Sequence, residues 1–291
     1  MQILYFDDYA TPSQALAKAL GCSATKIERH VFPDGESSLT LPTPLHGDVL
    51  ISQTLNQPNG KLVELILAAS TAKRLGADRV FLVAPYLCYM RQDMEFVPGQ
   101  AVSQGIIGEL LGSIFEGVFT VDAHLHRINH LNEAIRQGIA CNIVASSTIA
   151  HFVAQQYPTA VLIGPDSESE QWVAQAAAAT GLDFTIASKT RHGDRNVDVE
   201  LPLFDLQDRD VVIVDDIVSS AHTAIEAAKV AQKRGAKRVA IACTHALLAP
   251  GARELIKAQS IDAFWSCDSV LDSSNAISLA SALASAIKEQ L

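Results

Sequence analysis

VVIVDDIVSSAHTAIEAA, residues 211–228, is the stretch from which the fold can be read. Four branched apolar residues, Val211 to Val214, run into two adjacent aspartates. A hydroxyl-rich turn then leads into a segment of helical period. A short apolar run bounded by a turn reads as a buried strand, and a strand passing directly into a helix belongs to a βαβ unit. Open parallel sheets bind ligands beyond the carboxyl ends of their strands, where Asp215 and Asp216 are expected. Successive strand residues point to opposite faces, so two vicinal acids can hold two neighbouring hydroxyls or a hydrated metal ion. The turn Ser219, Ser220, Ala221, His222, Thr223 opens a helix whose first N–H groups have no intrahelical partner. With the helix dipole and the hydroxyls, these donors suit a phosphate. Acids for hydroxyls and a turn for phosphate describe a sugar phosphate. An alternative is a plain N-cap, in which Ser or Thr satisfies those donors with no ligand.

The same alternation runs along the whole chain. In the first half, strands are expected at Gln2 to Phe6, Lys26 to Val31, Asp48 to Thr54, Arg79 to Ala84 and Gly117 to Val121. Helices are expected at Pro12 to Leu20, Lys61 to Leu75 and Ala101 to Phe115. In the second half, strands at Ile139 to Ala145, Ala160 to Ile163, Asp183 to Ala187, Val211 to Val214, Arg238 to Cys243 and Ala263 to Ser266 alternate with helices. Those helices are Thr148 to Gln156, Glu168 to Thr180, Ala221 to Arg234, Ala252 to Gln259 and a last one, Ala276 to Gln290. The fold class is therefore α/β: two similar domains, residues 1–145 and 146–291, each a mainly parallel sheet flanked by helices. The segments KRLGADRVFLVAP from Lys73 and KRGAKRVAIACTH from Lys233 resemble each other, which hints at duplication.

The chain has 291 residues, enough for two domains of ordinary size, with a formal net charge of -10 and 19% charged residues. Interspersed charges of this sign argue against a nucleic-acid surface and leave room for a small anionic ligand. Cys22, Cys88, Cys141, Cys243 and Cys267 form no CxxC pair, a pattern of free thiols in a reducing compartment. The segment MQILYFDDYA has no secretory pattern, and no apolar run reaches the roughly 18 residues that span a bilayer. A cytoplasmic location without membrane attachment is expected.

Further motifs fall at strand ends. FPDGE, Phe32 to Glu36, contains a Pro-Asp-Gly turn. YMRQDMEF, Tyr89 to Phe96, puts Arg91 and Gln92 in a polar loop; arginine can fork onto phosphate and the amide can read an adenine edge. VDAHLHR, Val121 to Arg127, sets Asp122, His124 and His126 at period two. Zinc could use such spacing, but no thiolates lie nearby and no known zinc pattern is repeated; Mg²⁺ held through one His, carboxylates and phosphates is more in keeping with a phosphoryl-transfer site. GPDSES, Gly164 to Ser169, places Asp166 before a helix that it can equally cap. SKTRHGDRN, Ser188 to Asn196, carries Lys189 and Arg191 in a polar, glycine-containing loop.

Taken in order, FPDGE, YMRQDMEF, DAH, GPD, KTR and VDDIVSSAHT closely resemble ribose-phosphate diphosphokinases, also called PRPP synthetases, from about Phe32 to His245. The resemblance implies a type I phosphoribosyltransferase fold, Mg²⁺, and the substrates ATP and ribose 5-phosphate, with PRPP and AMP as products. It also implies a homo-oligomer, dimer or hexamer. By that resemblance Phe32, Asp34 and Glu36 hold adenine, reaching in from a neighbouring subunit, and Arg91 and Gln92 contact ATP. His124 and Asp166 position the metal. Asp215 and Asp216 hold the ribose hydroxyls, and Ser219, Ser220, Ala221, His222 and Thr223 line the 5-phosphate loop. Lys189 and Arg191 match the catalytic loop. A catalytically weak regulatory homologue and a phosphoribosyltransferase are the alternatives. The turn departs from the family's usual TGGT or TAGT: Ala221 lacks glycine's freedom at positive φ, and His222 adds bulk and a titratable ring. The loop after Lys189 is closer to the compact archaeal type, so phosphate activation and ADP inhibition are not carried over.

Overall fold

The computed structural model describes residues 1–192, 196–202 and 204–291, with the backbone alone for residues 168, 171, 189–192 and 196–200. The chain divides into two compact units, Met1–Ile143 with Leu279–Leu291, and Val144–Ser278.

The first unit contains β1 (Gln2–Tyr5), α1 (Ala10–Leu20), β2 (Ser23–Lys26), β3 (Glu28–Val31), β4 (Ser37–Thr40), β5 (Asp48–Ser52), α2 (Pro58–Arg74), β6 (Arg79–Val83), α3 (Ser103–Ile114), β7 (Gly117–Val121) and β8 (Ile139–Ile143). Its sheet is parallel in the order β2-β1-β5-β6-β7-β8, and β3 and β4 form a separate antiparallel hairpin. Alternate residues of the central strands, Leu4, Val49, Ile51, Val80 and Leu82, pack with Leu65, Ala68, Ala69 and Ala72 of α2. Period two in the strand meets a periodic apolar stripe on the helix, and burial of that seam is the main stabilising term.

The second unit contains α4 (Ser146–Gln156), β9 (Val161–Gly164), α5 (Glu170–Thr180), β10 (Asp183–Ile186), β11 (Ser188–His192), β12 (Asn196–Glu200), β13 (Asp210–Val218), α6 (His222–Lys233), β14 (Arg238–Ala246), α7 (Ala252–Lys257), β15 (Ala263–Cys267) and β16 (Asn275–Ile277). Its parallel sheet runs β10-β9-β13-β14-β15-β16, with β11 and β12 as an antiparallel hairpin. Val161, Ile163, Val211, Ile213 and Ile241 face Ala224, Ile225, Ala228 and Ala231 of α6. A last helix, α8 (Ala280–Gln290), follows.

The units repeat one another in detail. Strand order is the same, and each hairpin lies between the second and third sheet strands in chain order. Asp48 at the start of β5 takes a fork from Arg79 at 2.8 and 2.6 Å, and Asp210 at the start of β13 takes one from Arg238 at 2.8 and 2.7 Å. These arginines hold both carboxyls below the usual carboxylate range. The Glu116 carboxylate accepts the Val80 N–H at 2.8 Å, as the Asp262 carboxylate accepts that of Val239 at 2.8 Å. The similarity of KRLGADRV and KRGAKRV is thus the surface of a structural repeat.

The structure departs from expectation at several points. Lys26 to Val31 is not one strand: Ile27 separates β2 from β3, which leaves the sheet. Within the segment expected as a loop, Ser188–His192 forms β11 and Asn196 opens β12, paired antiparallel; residues 193–195 lie outside the described residues. The strand bearing the two acids runs to Val218 rather than stopping at Val214, because β14 offers a ladder partner through Ala246. The last seventeen residues also divide differently. Asn275–Ile277 forms β16, and Leu279–Leu291 belongs to the first unit rather than to a domain 146–291. The physical reason is packing: α8 lies against α1 and β8, burying Leu283, Ala284 and Ile287, and Lys288 Nζ donates to the Ala19 carbonyl at 3.0 Å. Among the described residues no helix is long and apolar enough to cross a membrane, and all five cysteines are free.

Candidate active site

In the second unit the acids converge at the carboxyl end of the sheet. β9 pairs with β13 only as far as Ile213, whereas β14 follows β13 to Val218. Asp215 and Asp216 therefore have a strand neighbour on one side and an open edge on the other. Asp215 shares its face with Val211 and Ile213, the face covered by α6, and Asp216 takes the opposite face. Each carboxylate folds one oxygen back on the next backbone N–H: Asp216 N–H donates to Asp215 Oδ1 at 3.0 Å, and Ile217 N–H donates to Asp216 Oδ1 at 2.7 Å. Burial, then the charges of Asp216 and Asp166, push the Asp215 carboxyl well above the usual carboxylate range.

Asp166 comes from the turn after β9. Its carbonyl accepts the Ser169 N–H at 3.3 Å and the Ser169 hydroxyl at 2.6 Å. Gly164 makes this turn feasible, since a Cβ there would stand 2.2 Å from Ser169 Oγ. Asp166 after β9 and Asp216 beside it on β13 thus both press like charge on Asp215, a repulsion that a cation would relieve. Among the described residues no group of three or more His, Cys, Asp or Glu is arranged to hold a metal by itself. A hard divalent ion would draw its remaining oxygens from substrate and water, as Mg²⁺ commonly does.

The turn after β13 is held by backbone bonds: Leu247 N–H to the Val218 carbonyl at 3.0 Å, and Ala249 N–H to the Ser219 carbonyl at 3.1 Å. The N-cap of α6 is Ala221, at φ 64, ψ −1, with no side-chain cap bond. The alternative of a Ser or Thr N-cap is therefore not what the structure adopts. An alanine in the left-handed region costs about 1–2 kcal/mol, so the turn stores strain where glycine would have none. Ser220 and His222 are exposed and Ser219 and Thr223 half-buried, leaving the helix start open to an anion.

In the first unit Phe32 to Glu36 is the tip of the β3–β4 hairpin. The Asp34 carboxylate accepts the Glu36 N–H at 3.2 Å, Gly35 sits at φ 93, and Val31 and Phe32 are 54% and 45% exposed. Arg91 is exposed, and Gln92 Nε2 donates to the Met94 carbonyl at 3.0 Å. The two motif loops are joined by a pair that sequence reasoning missed: Arg127 donates to both oxygens of Asp93 at 3.0 Å, with its guanidinium 5.7 Å from the Phe96 ring centre. Nothing in the spacing of Asp93 and Arg127 announces that contact. Asp122, His124 and His126 do not continue a strand, because β7 ends at Val121 and Asp122 turns to φ 39. The rings of His124 and His126 nevertheless stack, with centres 6.3 Å apart. Lys189 and Arg191 lie in β11, and their side chains fall outside the described residues.

Two repeated parallel α/β units, with acids and an uncapped helix turn at the strand ends of the second, define a phosphoribosyltransferase-type protein. A family model described as the phosphoribosyl transferase domain matches residues 132–277. One for the N-terminal domain of ribose phosphate pyrophosphokinase matches residues 1–114. The chain is similar to the ribose-phosphate pyrophosphokinase of Saccharolobus solfataricus, 32% identical over 84% of each chain. It is likewise similar to that of Methanopyrus kandleri, 28% identical over 94% of each. The chain belongs to the ribose-phosphate pyrophosphokinase family, and is an enzyme of that family. The fold is also that of the phosphoribosylpyrophosphate synthetase from Mycobacterium smegmatis, with a TM-score of 0.82, 21% identity and coverage of 99% of this chain and 97% of that one.

Proposed function

We propose that the chain transfers the β,γ-diphosphoryl group of ATP to the C1 hydroxyl of ribose 5-phosphate. The C1 oxygen bonds to Pβ, and the bond from Pβ to the oxygen bridging Pα breaks. AMP leaves with that oxygen, and the C1 hydroxyl proton passes to water. The observation that carries this reading is the convergence of Asp166, Asp215 and Asp216 beside an uncapped helix turn. Asp215 and Asp216 hold the ribose hydroxyls, and Ser219 to Thr223 receive the 5-phosphate. Phe32, Asp34 and Glu36 meet adenine, and Arg91 and Gln92 contact the ATP phosphates and base. Lys189 and Arg191 neutralise charge on the transferred group, which is the main protein contribution to phosphoryl transfer. Mg²⁺, positioned by His124 and Asp166, supplies charge neutralisation when bound.

The exposed hairpin tip, with Val31 and Phe32 uncovered, supports an assembly in which one copy offers its tip to another. Free cysteines support a reducing, cytoplasmic setting. Incubation with ATP, Mg²⁺ and ribose 5-phosphate, with AMP and PRPP measured, tests the reaction. AMP formation that requires the sugar is expected. Tight binding without turnover would instead favour a regulatory homologue, the reading to which the strained SSAHT turn lends support.

A further inference from the structure

A polar network in the first unit ties the β3–β4 hairpin to α2 and to the ends of β1 and β5. Glu64, in the second turn of α2 and 6% exposed, accepts Arg29 Nη1 at 3.0 Å on one oxygen and the Ser37 hydroxyl at 2.7 Å on the other. Arg29 belongs to β3 and Ser37 to β4. Ser37 pairs with Val31, two residues from Arg29, so both face α2. Arg29 also lies 3.8 Å from Asp8, and Asp8 accepts Gln53 Nε2 at 3.1 Å and stands 3.4 Å from Lys61. Lys61 Nζ donates in turn to the Thr54 carbonyl at 2.8 Å and to Asn56 Oδ1 at 2.9 Å. Two residues before Lys61, Asn59 Oδ1 accepts the hydroxyl of Tyr89, which opens the loop bearing Arg91 and Gln92 and sits at φ 62. One helix start thus fastens both the hairpin that carries Phe32, Asp34 and Glu36 and the loop that carries Arg91 and Gln92.

In the second unit the one acid of the equivalent helix α6, Glu226, bonds Lys229 of the same helix at 2.8 Å. We propose that Glu64, acting through Arg29 and Ser37, is a positioning residue for the ATP site, fixing the hairpin that presents the adenine-binding residues. This rests on the ATP roles proposed above. A carboxylate this buried, holding a guanidinium and a hydroxyl at once, orients the hairpin stem more than it stabilises the fold, because a buried ion pair adds little net stability. Breaking either bond frees the stem to pivot, and the tip loses its alignment.

Steady-state kinetics on the full-length chain test this. Glu64→Gln and Arg29→Ala should each raise KM for ATP about tenfold, equivalent to about 1.4 kcal/mol, with kcat and KM for ribose 5-phosphate within about twofold of the parent. Arg29→Lys, which keeps the charge, should recover part of the loss. Ser37→Ala, the mildest change, should give a rise of about threefold even if the others fold poorly. Unchanged KM for ATP in Ser37→Ala and in folded Glu64→Gln, with only the melting temperature lowered, would overturn the proposal. If the parent makes no AMP, the reaction assigned above fails, and titration of parent and variants with a fluorescent ATP analogue decides the positioning role separately: equal affinities overturn it, weaker binding in the variants upholds it.

Discussion

Arg29 and Lys189 hold the same place in a repeated fold. Each is the second residue of the first hairpin strand, and that strand in each unit follows a residue whose N–H returns to the first sheet strand: Ile27 to the Tyr5 carbonyl at 2.8 Å, Ala187 to the Gly164 carbonyl at 2.8 Å. One insertion has thus become two tools, an anchored hairpin in the first unit and one carrying the KTR motif in the second. Lys189→Ala should lower kcat by about a hundredfold or more while leaving KM for ATP near the parent value, as expected for a cation that matters in the transition state. A change confined to KM would place Lys189 outside the reaction step.

Asp215 bears on pH. Its folded-state carboxyl lies well above the unfolded value because of burial and the neighbouring acids. Ionising it therefore works against folding: its contribution to stability is fully present below the unfolded pKa of about 4 and is lost as pH rises through the folded value. Asp215→Asn should melt a few degrees higher than the parent at pH 7 without ligand, and the gap should close toward pH 4. The same variant should bind ribose 5-phosphate far more weakly. Thermal scans across pH check the first outcome, and titration with the sugar phosphate the second.

At Ala221 the left-handed backbone sets opposite expectations for two substitutions. Ala221→Gly relieves the strain but adds unfolded-state entropy, leaving a gain of about 0.5 kcal/mol; Ala221→Val should cost more than about 1 kcal/mol. Denaturant unfolding measures both. His222→Gly should alter KM for ribose 5-phosphate more than KM for ATP, and equal changes would move His222 away from the sugar phosphate.

Gly108, inside α3, is set by a close approach rather than by a turn. A Cβ there would stand 2.1 Å from the Ala134 carbonyl oxygen. Gly108→Ala should destabilise the first unit by about 1–3 kcal/mol or more, despite alanine's better helix propensity. A stabilising effect in denaturant melts would refute that packing.

Much of this was legible in the sequence where the core writes a pattern. The buried strands around Val80 and Val211 are continuous apolar runs, and the DD-turn-helix segment marks its own place at a strand end. The two hairpins were harder to read because they leave the sheets: Glu28–Val31 is exposed throughout and carries no inside-outside alternation. The length of β13 was hidden for a different reason. Asp215 and Asp216 interrupt the apolar run, and only the ladder partner Arg238–Ala246 extends the strand past them. Asp93 and Arg127 stand 34 residues apart and Arg29 and Glu64 35 apart, pairings that no local periodicity encodes. An amphipathic pattern in α8 announced a buried face without naming what covers it.

The return of α8 orders events in time. Ile287, fully buried in the first unit, is translated after every residue of the second. While the chain is still being made, the first sheet must wait with the surface beside α1 and β8 uncovered, even as the later sheet becomes complete. Synthesis therefore presents the cell with an unfinished first unit whose apolar flank is closed only once α8 is made, so α1 and α8 finish folding as one event.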